Sequence, residues 1–368
     1  MARDSSDMDL NGRIAALLRD FAAVQKSKQS MWGYKRAASA ILALEKPIAS
    51  LLQPDGTLTK IPNVGPSSTR VIVEVLQSGT SATVERAIAD SDRTSTLDRR
   101  RDLHGHFLTR AQVVAALKDR KLTGPRLEDY HGDLQMHSTW SDGSQTLADI
   151  VEGGLARGYT FCAVTDHSYG LKIASGVSMA DLLVQHREID ALNRKYRGKF
   201  RLIKGIEANI RADGSVDMER AELRLLELVV AAPHSALRST ADQTARMVNA
   251  VKAPGVHILG HPRGRKYGSR PGVTADWDQV FKAARIANVA IEIDGDPSRQ
   301  DVDYELAAQA AAAGCLLALD SDAHSTPELQ YAETAIAHAR LAGVPTDRIV
   351  NCWPVGRLME WLATANGR

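Results

Sequence analysis

Gly132-Asp133-Leu134-Gln135-Met136-His137-Ser138-Thr139-Trp140-Ser141-Asp142-Gly143 joins a short apolar run, 132–135, to a polar loop carrying a histidine and an aspartate. The arrangement recurs downstream. Run 161–165 is followed by Asp166-His167, 200–206 by Glu207, 228–232 by Pro233-His234-Ser235 and 256–260 by His261-Pro262. Run 289–293 contains Glu292 and leads into Asp294; run 316–320 leads into Ser321-Asp322-Ala323-His324. Stretches with helical apolar spacing separate the runs, at 146–157, 179–197, 240–252, 277–287, 302–313 and 328–341. Strand then helix, repeated over about 240 residues, predicts an α/β fold of parallel strands joined by crossover helices. Seven such units either close as a barrel or lie open as a doubly wound sheet.

In a parallel barrel the C-terminal strand ends share one rim, so the residues after each run would converge. Imidazole and carboxylate are ligands that zinc and manganese accept. The set Gln135, His137, Asp142, His167, Glu207, His234, His261, Asp322 and His324 exceeds the needs of one ion. Two or three ions sharing carboxylates is the economical expectation, and such clusters serve phosphoryl chemistry. A lone histidine after a strand is more often a satisfied polar residue than a ligand. Five of them, each at a strand end beside carboxylates, weigh the other way. Asp166 and Asp320 either orient neighbouring ligands or are purely structural; Glu292 and Asp294 belong either to the rim or to core pairing. His104, His106, His131, His186, His257 and His338 fall off the pattern and are expected to be structural or superficial.

The 368 residues suffice for one large domain and a smaller one. A formal charge of +2 and a sequence pI near 8.4 are no strong nucleic-acid signature by themselves. The three cysteines, Cys162, Cys315 and Cys352, match neither a thiolate metal site nor a disulfide framework, which suits a reducing cytoplasm. No apolar run approaches the roughly 20 residues of a membrane span, and residues 1–7 lack a signal-peptide core. A cytoplasmic monomer without membrane attachment is therefore the expectation.

Residues 1–8 are expected to be a disordered tail. Helical spacing runs through 9–90, as in Ile14, Leu17, Leu18 and Phe21 and in Ala37, Ile41 and Leu44. Residues 91–128 begin with a charged stretch that suggests a linker, with a short helix at 109–117. The barrel domain is expected over 129–368.

The rim motifs, taken together and in order, resemble the PHP (polymerase and histidinol phosphatase) family. The resemblance covers 130–367 and is greatest to the PHP domain at the C-terminus of bacterial family X DNA polymerases. It implies a distorted (β/α)7 TIM-like barrel and a trinuclear metal centre. Gln135, His137, Glu207 and Asp322 would surround one ion, and Glu207 would bridge to a second held by His234 and His261. Asp142, His167 and His324 would hold a third. The ions would be Mn2+ or Zn2+, with Fe2+ as a further candidate. A hydroxide bridging two ions would be the nucleophile, with His137, Glu207, His261 and Asp322 as its catalytic surround. Gln135 stands where the family has the first histidine of a His-x-His motif, and its amide oxygen is a weaker, neutral ligand. Asp142 stands where many members have histidine and remains a competent oxygen ligand. Arg263, Arg265 and Arg299 are candidates for clamping a phosphate.

Met31-Trp32-Gly33-Tyr34-Lys35-Arg36-Ala37-Ala38 and Leu58-Thr59-Lys60-Ile61-Pro62-Asn63-Val64-Gly65 resemble the N-terminal helical domain of the same polymerases, with its helix-hairpin-helix. Backbone N–H groups and a helix N-terminus at such a turn can face a phosphate. Gly65 suits a positive φ, and Asn63 tolerates one. The window 25–60 carries six Lys or Arg against two acidic residues. DNA, as single-stranded ends or gaps, is the expected partner, through Lys35, Arg36, Lys60, Asn63 and Gly65. A plain helical hairpin used in packing is the alternative.

Only about 40 residues separate the module from the barrel, too few for a polymerase palm. Val71 stands where lyase members of the family carry the Schiff-base lysine, so no deoxyribose-phosphate lyase activity is expected. The first expectation is a hydrolase acting on phosphoesters at nucleic-acid ends, a 3′–5′ exonuclease or 3′-end phosphatase for DNA repair. A histidinol-phosphate type phosphatase and a non-catalytic DNA-binding scaffold are the alternatives.

Overall fold

The computed structural model describes residues 9–91, 93, 97 and 101–365. The expected tail 1–8 lies outside the described residues. Two compact units emerge, one of Met1–Lys118 with Tyr267–Ser269, the other of Asp119–Lys266 with Arg270–Arg368. The stretch 91–128 is thus divided between them at Lys118. Among the described residues no helix is long and apolar enough to cross a membrane.

In the larger unit, seven parallel strands follow chain order: β1 (Gly132–Asp133), β2 (Phe161–Val164), β3 (Arg201–Asn209), β4 (Leu228–Ala232), β5 (Ile258–Leu259), β6 (Ala290–Asp294) and β7 (Leu316–Asp320). Each pairs with the next, in registers such as Glu207 opposite Val230 and Asp294 opposite Asp320. Their side chains are buried almost throughout, as expected of strands covered on both faces. The linking helices start on side-chain caps. Thr146 forms a capping box with Asp149, Ser178 accepts from Asp181 N–H, and Asp276 accepts from Gln279 N–H.

The sheet closes nearly into a barrel rather than lying open. Near the rim, Met136 bridges Ala323 in parallel, and His137 N–H donates to Ala323 O. Lower down, a short 3-10 turn, Val350–Cys352, fills the seam between β1 and β7. Asn351, fully buried, donates through Nδ2 to Gly132 O at 3.0 Å, Leu319 O at 2.9 Å and Asp320 Oδ1 at 2.8 Å. Its Oδ1 accepts from Leu319 N–H at 2.7 Å, and its carbonyl from His131 N–H. One side chain thus satisfies backbone groups that a continuous β1–β7 ladder would satisfy.

The opposite end of the barrel is plugged by a terminal helix, Val355–Ala365, which the sequence reading did not single out. Trp353, Leu358, Trp361 and Leu362 pack there against Leu134, Phe161, Ile203, Leu228 and Ile258. With that end sealed by apolar side chains, polar chemistry is left to the rim where the strands end.

The smaller unit contains α1 (Leu10–Ala23), α2 (Lys28–Leu42), α3 (Pro66–Ser78), α4 (Ala82–Ala89) and α5 (Arg110–Lys118). Ile14, Leu18, Ile41, Ile72 and Val84 form its core, together with Val71. The turn ahead of α3 departs from expectation at one position. Asn63 takes the positive φ, 64°, whereas Gly65 is the extended N-cap of α3 with φ −84°. Asparagine tolerates the left-handed region because its short polar side chain bonds locally; a β-branched residue does not. Asn63→Val should therefore lower the unit's stability by about 1–2 kcal/mol, while Asn63→Gly should leave it within a few tenths. Urea melts of the two variants check this, and equal stabilities would show that the turn carries no such strain.

Candidate metal centre

Glu207 is the hub. It lies on β3, its carboxylate buried, and five ring nitrogens or amides converge on its two oxygens. Oε1 lies 3.0 Å from His234 Nε2 and 3.0 Å from His261 Nε2. Oε2 lies 3.2 Å from His137 Nε2 and 3.4 Å from His167 Nδ1, and accepts from Gln135 Nε2 at 2.7 Å. Each residue reaches it because the local chain ends a strand or turns sharply after one. His261 and Asp322 do so at φ 21° and 53°, values that non-glycine residues hold only where the surroundings enforce them.

A second focus is Asp142 Oδ1, at 3.6 Å from His167 Nε2, 3.6 Å from His324 Nε2 and 3.9 Å from His137 Nδ1. Asp322 Oδ1 lies 3.1 Å from His137 Nε2. The His137 ring is stacked between those of His167 and His324, with centroids 4.4 and 4.3 Å away. Three overlapping donor groups result: His137, Asp142, His167 and His324; His167, Glu207 and His234; His137, Glu207 and Asp322. All nine residues expected at the rim are thus brought together, Gln135 and His261 through Glu207.

The donor set fits divalent cations. Buried Nδ1 atoms of His137, His167 and His261, and Oε1 of Gln135, have no hydrogen-bond partner within the protein. Such orphans are costly unless something else engages them. The electrostatics agree. Burial would raise the Glu207 pKa, but His167 and His234 outweigh it and hold the carboxyl well below its usual range. Burial pushes His167 down to about 4, with the charge of His137 adding to the effect, so its imidazole is neutral, the form that binds metals. For Asp322, Arg299 and His137 overcome burial and keep it ionised.

The supporting residues are mostly ones the sequence reading left open or missed. Asp166 accepts from Ser138 N–H at 2.7 Å, Ser138 Oγ at 2.6 Å, Ser141 Oγ at 2.5 Å and Gln185 Nε2 at 2.6 Å. It thereby fixes the loop that carries His137 and Asp142. Gly143 closes that loop; a Cβ there would come within 2.4 Å of His137 O. Asn209 Oδ1 lies 3.2 Å from His234 Nδ1, which turns Nε2 towards Glu207. Strand alternation held the clue, since Asn209 is two residues beyond Glu207 on the same face. Asp320 belongs to the seam with Asn351 and Leu134 N–H. Glu292 accepts from His261 N–H, and burial with Asp320 and Asp294 nearby raises its pKa well above the carboxylate range. Asp294 is raised likewise, by burial and by Asp322.

The arginines divide. Arg299 reaches the cluster, with Nη2 3.4 Å from Asp322 Oδ2 and Nε 3.6 Å from Asp296. Arg263 and Arg265, expected beside it, turn elsewhere. Arg263 Nη1 pairs with Asp303 at 2.8 Å. Arg265 is buried, bonds Gln300 O and sits 3.2 Å from Asp303. Both backbone N–H groups donate to Asp301. These two guanidinium groups thus pair with Asp303 rather than with the ligand cluster, and their backbone amides brace the loop after β5. In the smaller unit Arg36, Lys60, Asn63 and Gly65 are exposed, and Lys35 Nζ lies 4.7 Å over the Trp32 ring.

Comparison with known proteins gives four findings. Residues 9–81 match the helix-hairpin-helix domain family. The chain is 36% identical over 221 residues to a DNA polymerase/3′-5′ exonuclease PolX of Bacillus subtilis, a match covering 60% of this chain and 39% of that protein. It is 28% identical over 245 residues to a probable phosphatase, YcdX, of Escherichia coli, covering 63% of this chain and 94% of that protein. Among solved structures, histidinol phosphate phosphatase from Lactococcus lactis, complexed with zinc, L-histidinol and phosphate, aligns with a TM-score of 0.42 at 14% identity, over 57% of this chain and 94% of that one. The chain therefore spans well under half the length of its Bacillus relative.

Proposed function

We propose that the chain is a PHP-type, metal-dependent phosphoesterase with an N-terminal helix-hairpin-helix domain, acting on nucleic-acid ends as a 3′–5′ exonuclease or 3′-end phosphatase, a reading supported by its similarity to PolX and YcdX and by the helix-hairpin-helix match. The observation that carries the reading is the ring of imidazoles and carboxylates around Glu207, with Arg299 at its edge.

Gln135, His137, Glu207 and Asp322 would hold one ion, Glu207, His234 and His261 a second, and Asp142, His167 and His324 a third; Mn2+ and Zn2+ both suit this mixture of nitrogen and oxygen donors. Divalent ions so placed activate water near neutral pH and offset charge on the phosphoryl oxygens. Gln135 lends Glu207 a hydrogen bond through Nε2 while its Oε1 stays unpartnered, so this position is the weakest donor of the first group. Asn209 keeps His234 in the tautomer that presents Nε2. Arg299, held by Asp322 and Asp296, supplies a fixed cation to a non-bridging phosphate oxygen.

DNA contact falls to the helical domain. The N-cap Gly65 offers no side chain to the first turn of α3, and no atom lies within 4 Å of where its Cβ would be. That leaves the α3 N-terminus open to a phosphate, flanked by exposed Lys60. Val71 is buried in the core of that domain, so it provides no amine for lyase chemistry. No polymerase palm intervenes between the two units.

The test offers the protein, with manganese, 5′-labelled single-stranded oligonucleotides ending in a 3′ hydroxyl or a 3′ phosphate, p-nitrophenyl phosphate and histidinol phosphate in parallel. Shortening or dephosphorylation of the oligonucleotide that EDTA abolishes is the expected result. Turnover of histidinol phosphate alone would overturn the nucleic-acid reading. No turnover of any substrate would favour a binding scaffold.

A further inference from the structure

Two more arginines stand on loops that follow rim ligands. Arg238 is exposed on the loop after His234, and Arg270 lies half-buried on the loop after His261. Gly264 brings the two loops together. Leu237, the neighbour of Arg238, packs so closely on Gly264 that a Cβ there would come within 2.7 Å of Leu237 Cδ2. From the other direction Arg270 Nε donates to Gly264 O. The two loops are also joined by Gln243 N–H to Thr274 O and by a parallel bridge between Asp242 and Thr274. Asp301, accepting from Arg263 N–H and Arg265 N–H, ties the second loop to the third, which carries Arg299.

Their charges act on one another. Burial, then Arg299 and Arg238, lower the Arg270 pKa, with Asp301 opposing. Arg263 and Arg265 pair with Asp303, whereas Arg299 pairs with the rim residue Asp322. The repulsion that Arg270 meets from Arg299 and Arg238 is a cost that a polyanion relieves, while Arg299 is itself held by Asp294, Asp296 and Asp322.

We propose that Arg238, Arg270 and Arg299 form a track for successive phosphates of one nucleic-acid strand, with Arg299 at the reacting phosphate and Arg270 and Arg238 on those that follow it. The track rests on the nucleic-acid reading and adds a basis for selectivity. A phosphodiester chain engages all three arginines, whereas a small monoester engages Arg299 alone.

The test compares wild type, Arg238→Gln, Arg238→Lys and the Arg238→Gln/Arg270→Gln double variant, with manganese, on a single-stranded oligonucleotide and on p-nitrophenyl phosphate. The ratio of kcat/KM for the oligonucleotide to that for the aryl phosphate should fall about tenfold per arginine removed, mainly through KM. The slope of log kcat/KM against log salt should shrink by about one for each. Arg238→Lys should keep most of the slope, since the charge remains. A ratio and slope unchanged in the double variant would overturn the track. If wild type cleaves no oligonucleotide, the nucleic-acid reading fails by itself. The track is then judged by calorimetric binding of tripolyphosphate, whose affinity must drop in the double variant for it to stand and whose equality would dismiss it.

Discussion

Glu207→Gln is expected to reduce phosphoester turnover by roughly a thousandfold or more, the scale seen when a group central to transition-state electrostatics is lost. The substitution preserves shape but removes the charge on which His137, His167, His234 and His261 converge. Two of the three donor groups contain Glu207, so both lose their shared anion at once. The group of His137, Asp142, His167 and His324 does not contain it and should retain residual cation binding. A second readout separates this from misfolding. Ligands that bind only the folded state raise the melting temperature, so manganese should raise that of wild type substantially and that of the variant much less. Full activity in Glu207→Gln would remove Glu207 from the chemistry.

Asn351→Leu is expected to cost about 3–5 kcal/mol, a large part of the roughly 5–15 kcal/mol that holds a typical domain. Leucine fills similar space but leaves Leu319 N–H without its acceptor and takes the amide donor from Gly132 O, Leu319 O and Asp320 Oδ1. Each buried group left unsatisfied costs about 1–3 kcal/mol; Asp320, which still accepts from Leu134 N–H, and Leu319 O, which still accepts from Tyr130 OH, fall at the low end. The seam is where the sheet closes, so the loss should also loosen the rim and weaken metal retention. Urea unfolding of the larger unit's transition checks the figure. A loss below about 1 kcal/mol would mean that the barrel closes without Asn351.

What could be read from the sequence, and what could not, follows from the range of the interactions. The strands and the helices between them announce themselves locally, through apolar runs and helical spacing. Converging ligands were legible because a parallel barrel puts every strand end on one rim, whatever the separation in sequence. Periodicity alone left closure open, and only the family resemblance implied a barrel; in the structure the seam is filled by Asn351, a polar residue in a stretch with neither strand nor helix periodicity. Nor was the division among the arginines. Arg265 and Arg299 look alike in sequence, and only the positions of Asp303 and Asp322 decide which one braces a loop and which faces the cluster. In the hairpin, Asn63 and Gly65 were both plausible hosts for the left-handed residue. The structure gives it to Asn63 because Gly65 must be extended to begin α3.

Anomalous diffraction at the manganese edge, from crystals grown with that ion, addresses the central claim most directly. Two or three peaks should appear among His137, Glu207, His234, His261, Asp322 and the Asp142 group, each about 2.0–2.3 Å from its nitrogen and oxygen donors. Peaks confined to the protein surface, with the imidazoles around Glu207 bonded only to one another and to water, would contradict the account.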